Sequence, residues 1–258
     1  MLGKLGTNLD HLLKPKTETE ADFIGTKLTR IPDLYFTRTG SQSLCCIAAE
    51  YGWGHGNNSH QHKQKCIKHK LDFIDNLFEK PYDHERHKAA IAEHRPKYAT
   101  VRDMMTKEQC DRDAIQYYAP EQILEWANDL KQYTDNVIVI PKSKEYLDLI
   151  PDDYVIGLSI PSSHGGDVLP LDCYKGRRVH LLGGTWAKQL SYLYALGDDV
   201  VSLDNNWLAL IASKRHYCEP SGQTKSINDL IPYNLENALH VAFVLSLASI
   251  QTAFKRLC

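Results

Sequence analysis

Four short runs constrain this chain more than anything else in it. DNVIVIPK (135–142), DYVIGLSIP (153–161), RRVHLLGG (177–184) and DDVVSLDNN (198–206) are aliphatic or β-branched at their centres, and each ends in small, polar or proline residues. They lack the alternation of a strand with one wet face, so they read as strands covered on both sides, the habit of a parallel sheet wrapped by helices.

Shorter versions of the pattern lie upstream. DLYFTR (33–38) ends at Thr39-Gly40, LDFIDN (71–76) ends in Asp75-Asn76, and KYATVRD (97–103) ends in Asp103. Helical stretches fill the intervals. DHERHKAAIAEH (83–94) follows Pro81. Thr106 with Gln109 three residues on is a capping-box pattern and predicts a helix over 106–118. Pro120 suits a first helical turn, and Ile123, Ala127, Leu130 and Tyr133 (or Trp126) recur at helical spacing behind it. Trp186, Leu190, Leu193 and Tyr194 give another helix one apolar face, and residues 235–255 read as a long apolar helix packed against the body.

About seven strands alternating with helices, with few hairpin signals, imply parallel strands joined by crossovers. The expected fold is α/β, a (β/α)8 TIM-type barrel, whole or else incomplete or irregular, with an apolar C-terminal helix. A doubly wound open sheet is the alternative, but no Gly-x-Gly-x-x-Gly follows the first strand. The eighth strand has two candidate sources, the lead-in or residues 208–218. Residues 1–32 read as a polar, irregular lead-in and 33–258 as a single catalytic barrel domain.

The chain of 258 residues is 43% hydrophobic, enough for one sizeable core. A net charge of −2 gives no global attraction for nucleic acid, so such a partner would use a local patch. The seven cysteines, at 45, 46, 66, 110, 173, 218 and 258, are odd in number and scattered, which fits reduced thiols and a cytoplasmic location. No run approaches the roughly 18 apolar residues of a membrane span, and the N-terminal apolar run is too interrupted for a secretory signal.

In parallel barrels the reacting groups sit at the C-terminal ends of the strands. Those ends carry Asp75-Asn76, Asp103, Pro141-Lys142, Ser162 to Gly166, Gly183-Gly184 and Ser202 to Asn206. One aspartate after a strand is an ordinary turn or cap residue; three around one mouth point to chemistry. Such a set can attack a sugar carbon and move a proton, or it can bind Mg²⁺ for phosphoryl work. Gly183-Gly184 would let backbone approach a flat base or a phosphate; a tight packing turn is the other reading. GWGHGNNSHQHKQKCIKH (52–69) places His60, His62, Cys66 and His69 at metal-ligand spacings, but no second Cys-x2-Cys supports them. The stretch therefore reads as a loop lining the mouth, its lysines 63, 65, 68 and 70 available to phosphates. No cofactor is expected, zinc being the disfavoured alternative. His164 and His216 read as ordinary histidines.

HLLGGTWAKQLSYLYALGDDVVSLDNN (180–206) resembles the corresponding segment of the tRNA-guanine transglycosylase superfamily, and is most similar to its DNA-acting 7-deazaguanine branch of phages and bacteria. KYATVRD resembles an earlier strand of the same enzymes, and the similarity spans roughly 97–207. The resemblance implies exchange of guanine for a 7-deazaguanine base in DNA through a covalent aspartyl-glycosyl intermediate. Ser202-Leu203-Asp204…Trp207 matches the Ser-x-Asp and aromatic pattern, which makes Asp204 the nucleophile, and KYATVRD carries the proton-transfer role to Asp103. Asp75, His180, Gly183, Gly184, Ser202, Asn205, Asn206 and Lys142 are the expected substrate-binding set, with Arg177 and Arg178 as further phosphate contacts.

Three departures stand out. The Cys-x-Cys-x2-Cys…His zinc pattern of the tRNA enzymes is missing, Met104-Met105 stand where Ser-Gly-Gly-Phe follows the aspartate, and strict register puts Ser202 on the nucleophile position. Asp204 lies two residues on and so points the same way along a strand. The implied partners are DNA, with the target nucleotide flipped out, and the free base; a homodimer or a helper protein stays open. A hydrolase of N-glycosidic or phosphoester bonds on the same barrel, or an inactive relative that binds nucleic acid, are the alternatives.

Overall fold

A computed structural model of the chain describes residues 27–37, 41–63, 70–77, 80–161, 169–230 and 237–258. Eight parallel strands run in chain order around a closed barrel: β1 (Asp33–Phe36), β2 (Gly54–Asn58), β3 (Phe73–Asp75), β4 (Tyr98–Thr100), β5 (Asn136–Val139), β6 (Val155–Ser159), β7 (Val179–Leu182) and β8 (Val200–Asn205). Closure is made by β8 on β1, with Asp33 opposite Ser202 and Phe36 opposite Asn205. The α-helices among the described residues are α1 (Gln42–Glu50), α2 (His84–His94), α3 (Lys107–Asp113), α4 (Pro120–Leu130), α5 (Lys144–Leu147), α6 (Trp186–Leu196), α7 (Trp207–Ser213) and α8 (Ala238–Leu257). The α/β barrel expected from the strand pattern is therefore present and complete.

The eighth strand is β2, GHGNN, inside the histidine-rich stretch that reads as a loop. It has none of the β-branched or aromatic residues that mark strands. Its glycines are set by its neighbours: a Cβ on Gly54 would lie 2.8 Å from a ring carbon of Tyr35, and one on Gly56 would lie 2.8 Å from Phe73. Neither expected source supplies it: residues 27–32, the described part of the lead-in, hold no strand, and residues 208–218 form most of α7 and then β9 (His216–Cys218), which pairs with β10 (Thr224–Ser226) in a separate antiparallel hairpin. The helix expected over 106–118 is shorter. Its capping box is present, with Thr106 and Gln109 bonded both ways, but Ala114 turns left-handed (φ 53°) and stops it.

Two apolar layers hold the barrel. The larger lies between sheet and helices and includes Ile74, Ala99, Val139, Ile156, Leu181 and Leu203. The smaller fills the barrel itself with Tyr35, Phe73, Tyr98, Ile138, Ile140, Val155 and Val201. Tyr35 lies against Phe73 at 5.7 Å between ring centres, and Phe73 stacks on His180 at 5.0 Å. Helix α8 packs Phe243 on Phe36 of β1 and Phe254 on Trp186 of α6. It corrects one expectation: its 20 residues are long and apolar enough by composition to cross a membrane, yet 61% of that window is buried inside the protein.

Adding one methyl group tests the interior packing. Gly157→Ala would put a carbon 2.5 Å from Ile140 Cγ1 and 2.9 Å from Ile138 Cγ2. Overpacking of this kind costs about 1–3 kcal/mol, to be read as a lower urea midpoint at unchanged slope.

Candidate active site at the C-terminal mouth

Asp204 is the fifth of the six residues of β8 and faces the mouth, 8% exposed. A buried carboxylate needs partners, and three surround it. Thr37 Oγ1 donates to Oδ2 at 3.0 Å, the Gly183 amide donates to Oδ1 at 3.0 Å, and His180 Nε2 lies 3.4 Å from Oδ1. Gly183 can aim its N–H there because its φ is +61°, and a Cβ at that position would meet nothing within 4 Å. Backbone is thus bare to open space at Gly183. Gly184 answers to packing instead: with φ +83°, its Cβ position is 2.5 Å from Ile160 Cγ2.

A clasp behind these strand ends was not legible in the sequence. Gln189, fully buried on α6, donates to the carbonyls of Gly183 (2.8 Å) and Asp204 (2.7 Å) and accepts from Asn205 Nδ2 (2.9 Å). Asn205 in turn accepts from the Leu208 amide at 3.1 Å, so its side chain is spent on structure rather than on a sugar or phosphate. Asn206, by contrast, is exposed. Ser202 sits one layer deeper than Asp204, fully buried, with its Oγ 2.7 Å from His180 Nδ1. Of the two nucleophile positions open in the sequence, Asp204 is the one at the mouth, and Ser202 orients the imidazole beneath it.

Asp103 reaches the mouth through an irregularity. Thr100 pairs with Ile138 and Met104 with Pro141, so four steps on one chain match three on the other, and the extra residue is a bulge. The carboxylate lies 3.2 Å from Lys142 Nζ, and both side chains are more than nine-tenths buried. Lys142 is therefore at the mouth as expected, but as the partner of Asp103.

Asp75 completes the set and differs from both. Burial first, then the charges of Asp204 and Asp103, raises its pKa to about 7, against hydrogen bonds from Thr100 Oγ1 (2.7 Å) and the Asn76 amide (2.9 Å) that favour the ionised form. Asp204 and Asp103 are thus close enough to Asp75 to raise its pKa. Thr100 is held from behind by His87, whose Nε2 is 2.7 Å from the Thr100 carbonyl oxygen and which burial keeps neutral, its pKa pushed down to about 4.

Other expected residues lie elsewhere. Arg177 and Arg178 precede β7 and belong to the opposite face, where Arg177 donates to the carbonyls of Ile150 and Pro151 and Arg178 to Asn136. A charge at the start of a strand cannot serve a site at its end. His60 and His62 follow β2, and the His62 ring packs against that of His94 at the end of α2 rather than against the carboxylates. Cys66, His69 and Ser162 to Gly166 lie outside the described residues. A cavity of about 520 Å³ opens at the opposite end of the barrel, lined by residues such as Asp33, Tyr35, Asp72, Lys97 and Lys255. The carboxylates are not in it.

Fold and site together define a (β/α)8 barrel protein with a three-carboxylate mouth. The chain belongs to DUF6610, a family of unknown function whose model matches residues 48–247, a span that holds all three aspartates. No curated protein matches the chain.

The raised pKa of Asp75 has a consequence for stability. Its folded value lies above the unfolded value of about 4, so the folded state binds the proton more tightly, and the stability this confers is lost as pH rises through about 7. Asp75→Asn is expected to stabilise the protein at pH 8, by up to about 4 kcal/mol, and to give no gain at pH 4; thermal melts at the two pH values check it.

Proposed function

We propose that this protein exchanges a purine base at an N-glycosidic bond, replacing guanine in DNA with a 7-deazaguanine through an aspartyl-glycosyl intermediate. One observation carries the reading: three carboxylates at one mouth stand in three different states. Asp204 is oriented by fixed donors on both oxygens, Asp103 is paired with a buried lysine, and Asp75 titrates near neutrality. Separate environments for neighbouring carboxylates are how one site obtains a nucleophile and a proton carrier. The resemblance of 180–206 to the guanine transglycosylases supports the same assignment.

In this reading an Asp204 oxygen attacks C1′ of the nucleotide. The C1′–N9 bond breaks, its electron pair leaves on the base, and Asp75 supplies the proton that the base takes up. The incoming deazaguanine gives its own ring N–H proton to Asp75, its nitrogen attacks C1′, and the ester to Asp204 breaks. In this reading the proton work falls to Asp75, whose raised pKa suits it, and Asp103, held by Lys142, meets a donor edge of the base. The bare backbone at Gly183 suits the face of a flat ring. Reduced thiols at Cys45, Cys46, Cys110, Cys173, Cys218 and Cys258 fit action in the cytoplasm.

Incubation with labelled 7-deazaguanine and duplex DNA, single-stranded DNA or tRNA tests the proposal. Label should enter DNA, with Asp204→Ala slower by about 10⁴-fold or more and Asp75→Asn by about 10²–10⁴-fold. Mass spectrometry of the intact protein should show a glycosyl adduct that Asp204→Ala lacks. Free base released without incorporation would mean a hydrolase, and binding without either would mean an inactive relative; both outcomes sink the exchange reading.

A further inference from the structure

The structure assigns a transition-metal site to His62, Glu93 and His94, on the flank of the barrel and separate from the carboxylate mouth. One nitrogen from each imidazole and one oxygen of the Glu93 carboxylate lie within 4.8 Å of one another. Three atoms no further apart than that share a centre at most about 2.8 Å from each, and contraction by less than about 1 Å brings them to the 2.0–2.2 Å of zinc bonds. Two nitrogens of these rings, Nδ1 of His62 and Nε2 of His94, are buried with no hydrogen-bond partner, His62 Nδ1 lying 3.7 Å from the Glu93 carboxylate. A buried polar atom without a partner is costly, and two beside one carboxylate are accounted for together by a shared cation.

The chemistry of the donors agrees. Imidazole binds a metal through an unprotonated ring nitrogen, and each ring has one to offer. Glu93 and His94 stand in the last turn of α2, where the helix dipole favours positive charge. Two nitrogens and one carboxylate oxygen suit zinc and its neighbours rather than magnesium or calcium. Loading has costs. Lys63, 3.5 Å from the Glu93 carboxylate, must yield its contact. Ligation through Nε2 of His94 moves the ring proton to Nδ1 and gives up the long 3.3 Å bond from the Leu71 amide. The metal would tie the chain leaving β2 to the end of α2, a connection that has no helix of its own among the described residues. The site therefore pins a crossover and does not depend on the base-exchange reading.

Tag-free protein, stripped with a chelator, is titrated with Zn²⁺ by calorimetry and with Co²⁺ by visible absorption. Expected are one equivalent of either ion, cobalt d–d bands with no thiolate charge-transfer band, and a melting temperature that chelator lowers. His62→Ala and His94→Ala should each weaken binding by about tenfold or more, Glu93→Gln should weaken it too, and His60→Ala should leave it unchanged. Circular dichroism of the conservative Glu93→Gln protein separates lost binding from lost folding. Absence of saturable binding in the native protein, undiminished binding in the folded variants, or a thiolate band would overturn the assignment.

Discussion

The volume inside an eight-stranded barrel is fixed by its strand number, and side chains must fill it without strain. Here the filling is done by large rings: Tyr35, Phe73, Tyr98 and the imidazole of His180 all lie within the strands. Rings of that size leave no room for a Cβ on the strands facing them. Gly54 and Gly56 on β2 follow from this, since each would otherwise place a carbon under 3 Å from Tyr35 or Phe73, while Gly157 on β6 makes room for Ile138 and Ile140 in the same interior. The aromatic floor also sets the level of the site. Polar groups that would be stranded within it are pushed to the strand ends, or are tied together as His180 and Ser202 are.

Above that floor, geometry sorts three chemically identical groups. Asp204 receives donors from two other strand ends, one a backbone amide made available by a left-handed glycine. Asp103 is displaced by a bulge onto a buried lysine. Asp75 has donors as well, but burial and two like charges outweigh them. The difference arises from which strand end each occupies, and the Gln189 clasp holds the end of β8 in fixed relation to that of β7.

The residues that could be read in the sequence are those whose local pattern carries the information. Continuous β-branched runs announced β5 to β8, and aspartates after strand-like runs located Asp75, Asp103 and Asp204, because in a parallel barrel every strand ends at the same mouth. Strand β2 escaped because its identity is dictated by the rings of Tyr35 and Phe73, partners distant in sequence. Gln189 escaped for the same reason: on α6 it is one polar residue beside an apolar face, and only the packing of helix on sheet turns it inward. Arg177 and Arg178 lie at the start of β7 and not at its end, so a basic pair beside a strand-like run does not by itself mark the mouth. Glu93 and His94 gave no signal, since their relation to His62 is made across a crossover and not along one element.

A carboxyl group held near neutrality is a poor choice for stability alone. Asparagine at position 75 would keep the bond from Thr100 and remove the repulsion from Asp103 and Asp204. A structural role for Asp75 would be served better by the amide, whereas a proton carrier working near pH 7 requires the acid with this raised pKa. Strain of this kind is tolerated where the surrounding fold over-determines the position. Asp75 meets that condition: Asn76 is bonded to Thr100 Oγ1 and to the Val101 carbonyl, and His87 fixes the Thr100 carbonyl from behind. The neighbouring residues hold an unfavourable carboxyl in place, as the proposed exchange would require of its proton carrier.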